Sequence, residues 1–234
     1  MNIKLVKEYK IIKNNNDFYK IVFNNKYFKT PLGNVIKFPS LKIAKIFLKK
    51  IKSSDKNQSQ TTVSEIKLVY MAIDKIALSK SNYINNIAMN IQTDVICFFS
   101  SEQKSLYLKQ KKLWLPLIQW MKDMYKVQIL YSSTFKVHIQ TKNNIERLKK
   151  IIKKYNIYEL SALHTLIGIT NSFVISLALL ESKISYKKAF ELSFLEELYQ
   201  SSIWGEDEEA LERLNSIKLD IKLVKDYFDA VNAQ

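Results

Sequence analysis

The stretch SSIWGEDEEALERL sets four acids side by side, Glu206, Asp207, Glu208 and Glu209, in a chain of formal net charge +15. Carboxylates in that number offer metal binding, acid–base catalysis, completion of a helix start, or a contact surface for a partner. The first two need convergence, and adjacent helical positions fan their side chains around the axis instead. His138 and His164 lie far apart without HExxH spacing, and the single Cys97 stands between Ile96 and Phe98, so neither supplies a metal set. Cys97 reads as a small buried hydrophobe and His164 as a hydrogen-bonded core residue. No GxxxxGK[ST], GxGxxG or GxSxG occurs, which argues against nucleotide binding and against nucleophile-elbow hydrolysis.

Gly205 is placed to end one helix, and the acids then fall in the first turn of the next, where they complement the positive end of its dipole. Glu209 has Arg213 four residues on as an ion-pair partner. A helix start uses one or two acids, and four that repel each other exceed that need. The surplus, next to Trp204, reads as an exposed contact surface. Trp114, Trp120 and Trp204 sit among apolar helical residues, which favours core or partner contact over stacking on nucleic-acid bases.

The elements that must position these residues are mostly helical. Only three Gly and three Pro in 234 residues, 47% of them hydrophobic, leave long stretches without breakers. The strand signals come first: DFYKIVF and KYFKT joined through Asn24-Asn25, then the turn TPLGN and a short strand VIKF. Ser40 caps a helix with Ile43, Ile46, Phe47 and Ile51 on one face and lysines on the other. A polar run from Ser53 to Thr62 marks the expected boundary between an N-terminal unit, 1–60, and a C-terminal helical unit, 61–234.

Within that second unit, helical periodicity covers Ile66–Ala77, Ile84–Ile91 and Gln103–Tyr125, the last kinked or restarted at Pro116. VICFF is too short to assign, and 126–141 reads as extended. Helices follow over about 157–182, 185–203 and 206–231. The uncharged stretch Leu160–Leu180 is long enough for a bilayer. Glu159 and Glu181 at its ends, and the small-residue stripe Ser161, Thr165, Gly168, Ser172 and Ser176, favour a buried helix of a soluble protein. The fold class expected is α+β: a small antiparallel sheet with a helix, followed by a larger all-helical part.

The basic excess is almost all lysine, with arginine only at 147 and 213, which fits a composition bias better than a nucleic-acid reader. Residues 155–234 carry 7 basic and 13 acidic side chains, so the rest of the chain holds the positive field and this part a negative one. One cysteine and an N-terminus without an apolar h-region suit the cytoplasm. The alternative of another class is a lysine-rich nucleic-acid-binding protein using helices near 41–52 and 145–154. A metalloenzyme built on Glu206–Glu209 with His164 is the weaker third.

FKTPLGN (28–34), AID (72–74), TDVICF (93–98), LWLPLIQW (113–120), ALH (162–164) and WGEDEEA (204–210) together give the chain a resemblance to a known family. It resembles the assembly chaperones that attend the alpha subunit of the F-type ATP synthase catalytic head, the ATP-twelve type. The pattern departs at Leu115, where the family usually has Asp, and at Gln92, where it tends to have Gly. The resemblance implies an N-terminal α+β unit and a helical unit, no enzymatic activity and no cofactor. It implies transient binding of the ATP synthase alpha subunit by a chain that is a monomer when free, in the bacterial cytoplasm or, for eukaryotic relatives, the mitochondrial matrix. It also makes Trp204, Glu206, Asp207, Glu208 and Glu209 the expected client-binding residues, with no nucleic acid and no membrane span.

Overall fold

Asn24 and Asn25 both take positive φ, 46° and 62°, which is what a two-residue hairpin turn demands of its central pair. They join β2 (Tyr19–Phe23) to β3 (Lys26–Tyr27), and β2 also pairs antiparallel with β1 (Tyr9–Lys13), giving the order β1-β2-β3. The structure is a computed structural model that describes residues 9–13, 18–53, 61–133, 139–205 and 207–233. VIKF makes no full strand; it touches the sheet through the isolated bridge Tyr19–Phe38, and Val35 bridges to Lys29 just beyond β3. Between them lies the expected turn, with Gly33 at φ 88°, a value its missing Cβ makes inexpensive, and Gly33 N–H donating to Thr30 O.

Helix α1 (Leu41–Ser53) starts where Ser40 Oγ accepts the Ile43 N–H, 3.2 Å. It buries Ile43, Ala44 and Phe47 against Ile21, Ile36 and Phe38, and leaves Lys42, Lys45 and Lys49 in solvent. The remaining helices are α2 (Glu65–Met71), α3 (Lys80–Met89), α4 (Lys104–Tyr125), α5 (Lys142–Ile152), α6 (Ile157–Thr170), α7 (Phe173–Leu180), α8 (Tyr186–Ser193), α9 (Leu195–Trp204) and α10 (Glu208–Val231). Helix α4 runs through Pro116 as one helix, without a restart. The polar run placed at the expected boundary falls partly on 54–60, outside the described residues, as does His138.

Sheet and helices share one apolar cluster that runs from Ile21 to Val231. Helix α10 is its spine, packing on α6 and α8 and reaching α1 and α2. Polar clamps fix the register. Ser40 Oγ–H donates to Ala230 O, and Tyr158 O–H donates to Lys37 O. Asp74, in a π-helical turn after α2, accepts from Thr30 Oγ1 (2.7 Å) and Asn34 Nδ2 (2.8 Å), so FKTPLGN and AID meet in one bond network. Buried Asp220 accepts from Thr62 Oγ1 (2.6 Å), Thr62 N–H (3.3 Å) and Val63 N–H (3.1 Å), tying the entry of α2 to α10. Asp220→Ala leaves those donors unpaired and is expected to cost about 2 kcal/mol in urea unfolding.

The periodic stretch 157–182 is not one helix. Asn171 takes the left-handed conformation, φ 51°, and Ser172 then caps α7 by accepting the Ile175 N–H, 3.0 Å. Asn-Ser is therefore a stop and a start inside an uninterrupted apolar pattern. The small-residue stripe is divided with it: Gly168 is exposed, while Ser172 caps α7 and Ser176 lies within it. No helix of the described residues is long and apolar enough to cross a membrane. The stretch 185–203 is likewise split, at Phe194.

Asp94 joins two of these starts. Its carboxylate accepts from Ile96 N–H (3.2 Å) and from Val174 N–H (3.0 Å), capping the short 3-10 turn Val95–Cys97 and the first turn of α7 together. Cys97 behind it is buried, and desolvation with the nearby Asp94 charge pushes its thiol pKa up. Native protein should therefore react with a thiol reagent only on unfolding, checked by colour release with and without denaturant.

Beyond α4, residues 127–133 form no strand apart from the parallel bridge of Ser132 to Phe98. Buried side-chain amides stand in for a neighbouring strand. Gln140 accepts from Leu130 N–H (3.0 Å) and donates to Leu130 O (2.7 Å), while Asn144 does the same for Gln128 at 3.3 and 2.5 Å. Gln92, one of the departures from the family pattern, accepts the Gln140 N–H at 2.8 Å.

Candidate functional site: the turn between α9 and α10

Gly205 ends α9 with φ 94°, a conformation that suits glycine, and its N–H donates to Ser201 O, 3.0 Å. Asp207 is the N-cap of α10, accepting the Ala210 N–H at 3.3 Å, and Glu208 and Glu209 occupy the first turn. Glu206 lies outside the described residues. Glu209 does not pair with Arg213. The Arg213 guanidinium instead donates to Glu197 on α9, a carboxylate that reaches it from across the turn. Asp207, Glu208 and Glu209 all point to solvent.

The tryptophans separate cleanly. Trp114 is fully buried and donates its Nε1–H to Leu192 O, 3.1 Å, and Trp120 packs edge-on to Tyr125. Trp204 is 82% exposed, its Nε1–H held by Gln200 Oε1 at 3.1 Å, with Ile203 half-exposed beside it. An indole presented to water next to three carboxylates is costly to leave uncovered, and it is the kind of side chain that anchors protein interfaces.

No group of three or more His, Cys, Asp and Glu among the described residues could hold a metal ion. His164 is not the hydrogen-bonded core residue expected. Its Nδ1 is buried without a partner, its ring meets Tyr83 edge-on at 5.2 Å, and desolvation together with Lys75 lowers its pKa. Two features escaped the sequence reading. One is the turn tip Leu32, 71% exposed, for which hydrophobicity at a Pro-Leu-Gly turn was the available signal. The other is the groove between α4 and α9 described below, which arises only from packing.

A sequence model of the ATP12 chaperone protein family matches residues 4–122. The chain belongs to the ATP12 chaperone family. The match stops well before the turn at 204–210, so the acids there are not part of it. Protein atp12, mitochondrial, of Schizosaccharomyces pombe is 26% identical over 204 residues, which is 82% of this chain and 70% of that protein. The Atu1473 protein of Agrobacterium tumefaciens has a fold like this one at TM-score 0.87 and 24% identity, over 97% of this chain and 85% of its own. Atp12 from Paracoccus denitrificans superposes at TM-score 0.86 and 19% identity, over 96% of both chains. The small sheet with one helix, followed by the helical part, is thus the ATP12 fold.

Proposed function

We propose that this ATP12 family member is a non-enzymatic assembly chaperone of the F-type ATP synthase, holding the newly made alpha subunit until it enters the catalytic head. Its client-binding face comprises Trp204, Glu206, Asp207, Glu208 and Glu209, and it acts without cofactor or nucleic acid, as a monomer when free. The observation that carries this reading is family membership combined with an indole that the fold leaves 82% exposed beside a row of solvated acids. A holding chaperone needs such a surface: apolar enough to cover an unpaired face, charged enough to stay in solution without its client.

The test mixes the purified chain with freshly refolded alpha subunit, and separately with beta subunit, followed by light scattering on a sizing column. A one-to-one complex with alpha only, with less alpha aggregation, is the expected result. Alpha aggregating at its usual rate, with no complex, would overturn the assignment.

A further inference from the structure

An open groove of about 480 Å³ lies between the start of α4 and α9. Phe98, Phe99 and Leu106 give it an apolar floor, and Glu102, Glu196 and Gln200 stand around it. Behind it the fully buried Gln110 uses both ends of its amide. Its Oε1 accepts the Ser100 N–H (2.7 Å), and its Nε2 donates to Glu196 Oε1 (2.6 Å). One oxygen of Glu196 is thereby held in place while the residue stays exposed. Glu102 and Glu196 make no ion pair among the described residues, in a protein with fifteen more positive than negative charges. Two nearby α4 lysines lie over aromatic rings: Lys109 over Tyr199 at 5.8 Å and Lys111 over Tyr107 at 5.6 Å.

We propose that this groove receives an extended segment of the client that carries a lysine or arginine, an inference that rests on the chaperone reading above. The long stem of such a side chain covers the Phe98 and Leu106 surface, and its cationic head lies between the two carboxylates. Glu196 is already oriented by Gln110, so less ordering is required when the cation arrives. The groove is one helical turn from Trp204, since Gln200 on its rim is the residue that accepts the Trp204 Nε1–H. A single extended segment spans both, with a basic residue at α4 and an apolar one against the indole.

The probe is an acetylated, amidated nonapeptide alternating leucine with lysine, titrated into the ¹⁵N-labelled chain, with the leucine–glutamate counterpart as control. The expected result is a saturable shift of the Ser101, Gln103 and Gln200 amides by the lysine peptide alone. The double variant Glu102→Gln/Glu196→Gln, which keeps an acceptor for Gln110, should weaken that binding about tenfold. No shift at millimolar peptide, shifts confined to other surfaces, or equal binding by the double variant would each overturn the proposal. Parallel titration with alpha subunit separates the two readings. Wild type binding alpha while the double variant binds it equally well removes the groove and leaves the chaperone role. Peptide bound at the groove without alpha binding keeps the groove and removes the client.

Discussion

Asp94→Ala is expected to lower the unfolding free energy by about 3 kcal/mol at about pH 5, because it strands two buried backbone donors at once. Those are the Ile96 N–H and the Val174 N–H, and the second belongs to the first turn of α7, a helix with every residue buried. The effect depends on pH in a defined direction. Burial pushes the Asp94 carboxyl up from 3.8 to about 6, against the opposing pull of hydrogen bonds from Ser172, Val174, Ile96 and Phe173. A folded-state pKa above the unfolded one means that its contribution is complete below about 3.8 and is lost as the pH rises through about 6. The stability difference between wild type and Asp94→Ala should therefore be about 1 kcal/mol smaller at about pH 8 than at about pH 5. Urea titrations of both proteins at the two pH values measure it. A difference that grows with pH would show that the carboxylate is stabilised by something other than these donors.

Trp204→Ala carries the second large effect, on binding instead of folding. An exposed indole that becomes covered by a client behaves as an interface anchor, and its removal is expected to cost about 2 kcal/mol, or about thirtyfold in affinity for the alpha subunit. Stability should move by less than about 0.5 kcal/mol, since the ring is largely exposed and, among the described residues, bonds to Gln200 alone. Glu208→Lys/Glu209→Lys should act differently. Rim charges govern encounter, so association slows about tenfold at low ionic strength and recovers in high salt. Glu208→Gln/Glu209→Gln controls for the helix dipole, which disfavours lysine at those two positions. Surface-plasmon association and dissociation phases separate the two classes. Full affinity in Trp204→Ala would move the client surface elsewhere, with the exposed turn tip at Leu32 the next place to substitute.

How much of this was legible in the sequence follows from the range of the interactions concerned. The hairpin, the Ser40 cap and the amphipathic face of α1 are local, set by residue types within a turn or two, and they stand as read. The break at Asn171-Ser172 is local too, but the apolar periodicity on both sides overrides a two-residue signal unless Asn is weighed as a left-handed stop. Arg213 shows the opposite limit. Its i,i−4 neighbour was the natural partner, and only the tertiary arrangement brings Glu197, sixteen residues back in the chain, to it. Buried Asp94 and Gln110 bond to residues distant in the chain or across a bend, so their roles emerge from tertiary packing. The exposure of Glu208 and Glu209 was legible because the start of α10 takes one acid, Asp207, as its cap and leaves the other two in solvent.

The clamp of Ser40 to Ala230 joins positions 190 residues apart, and α10 follows in the chain every element that it braces. On a ribosome, the sheet and α1 emerge early and must wait with part of their apolar face uncovered until the last long helix arrives. Contacts of that separation slow folding and lengthen the interval in which a nascent chain is open to aggregation. A member of a chaperone family thus faces, through its own synthesis, the hazard that chaperones exist to limit, which makes its yield sensitive to how quickly α10 is delivered.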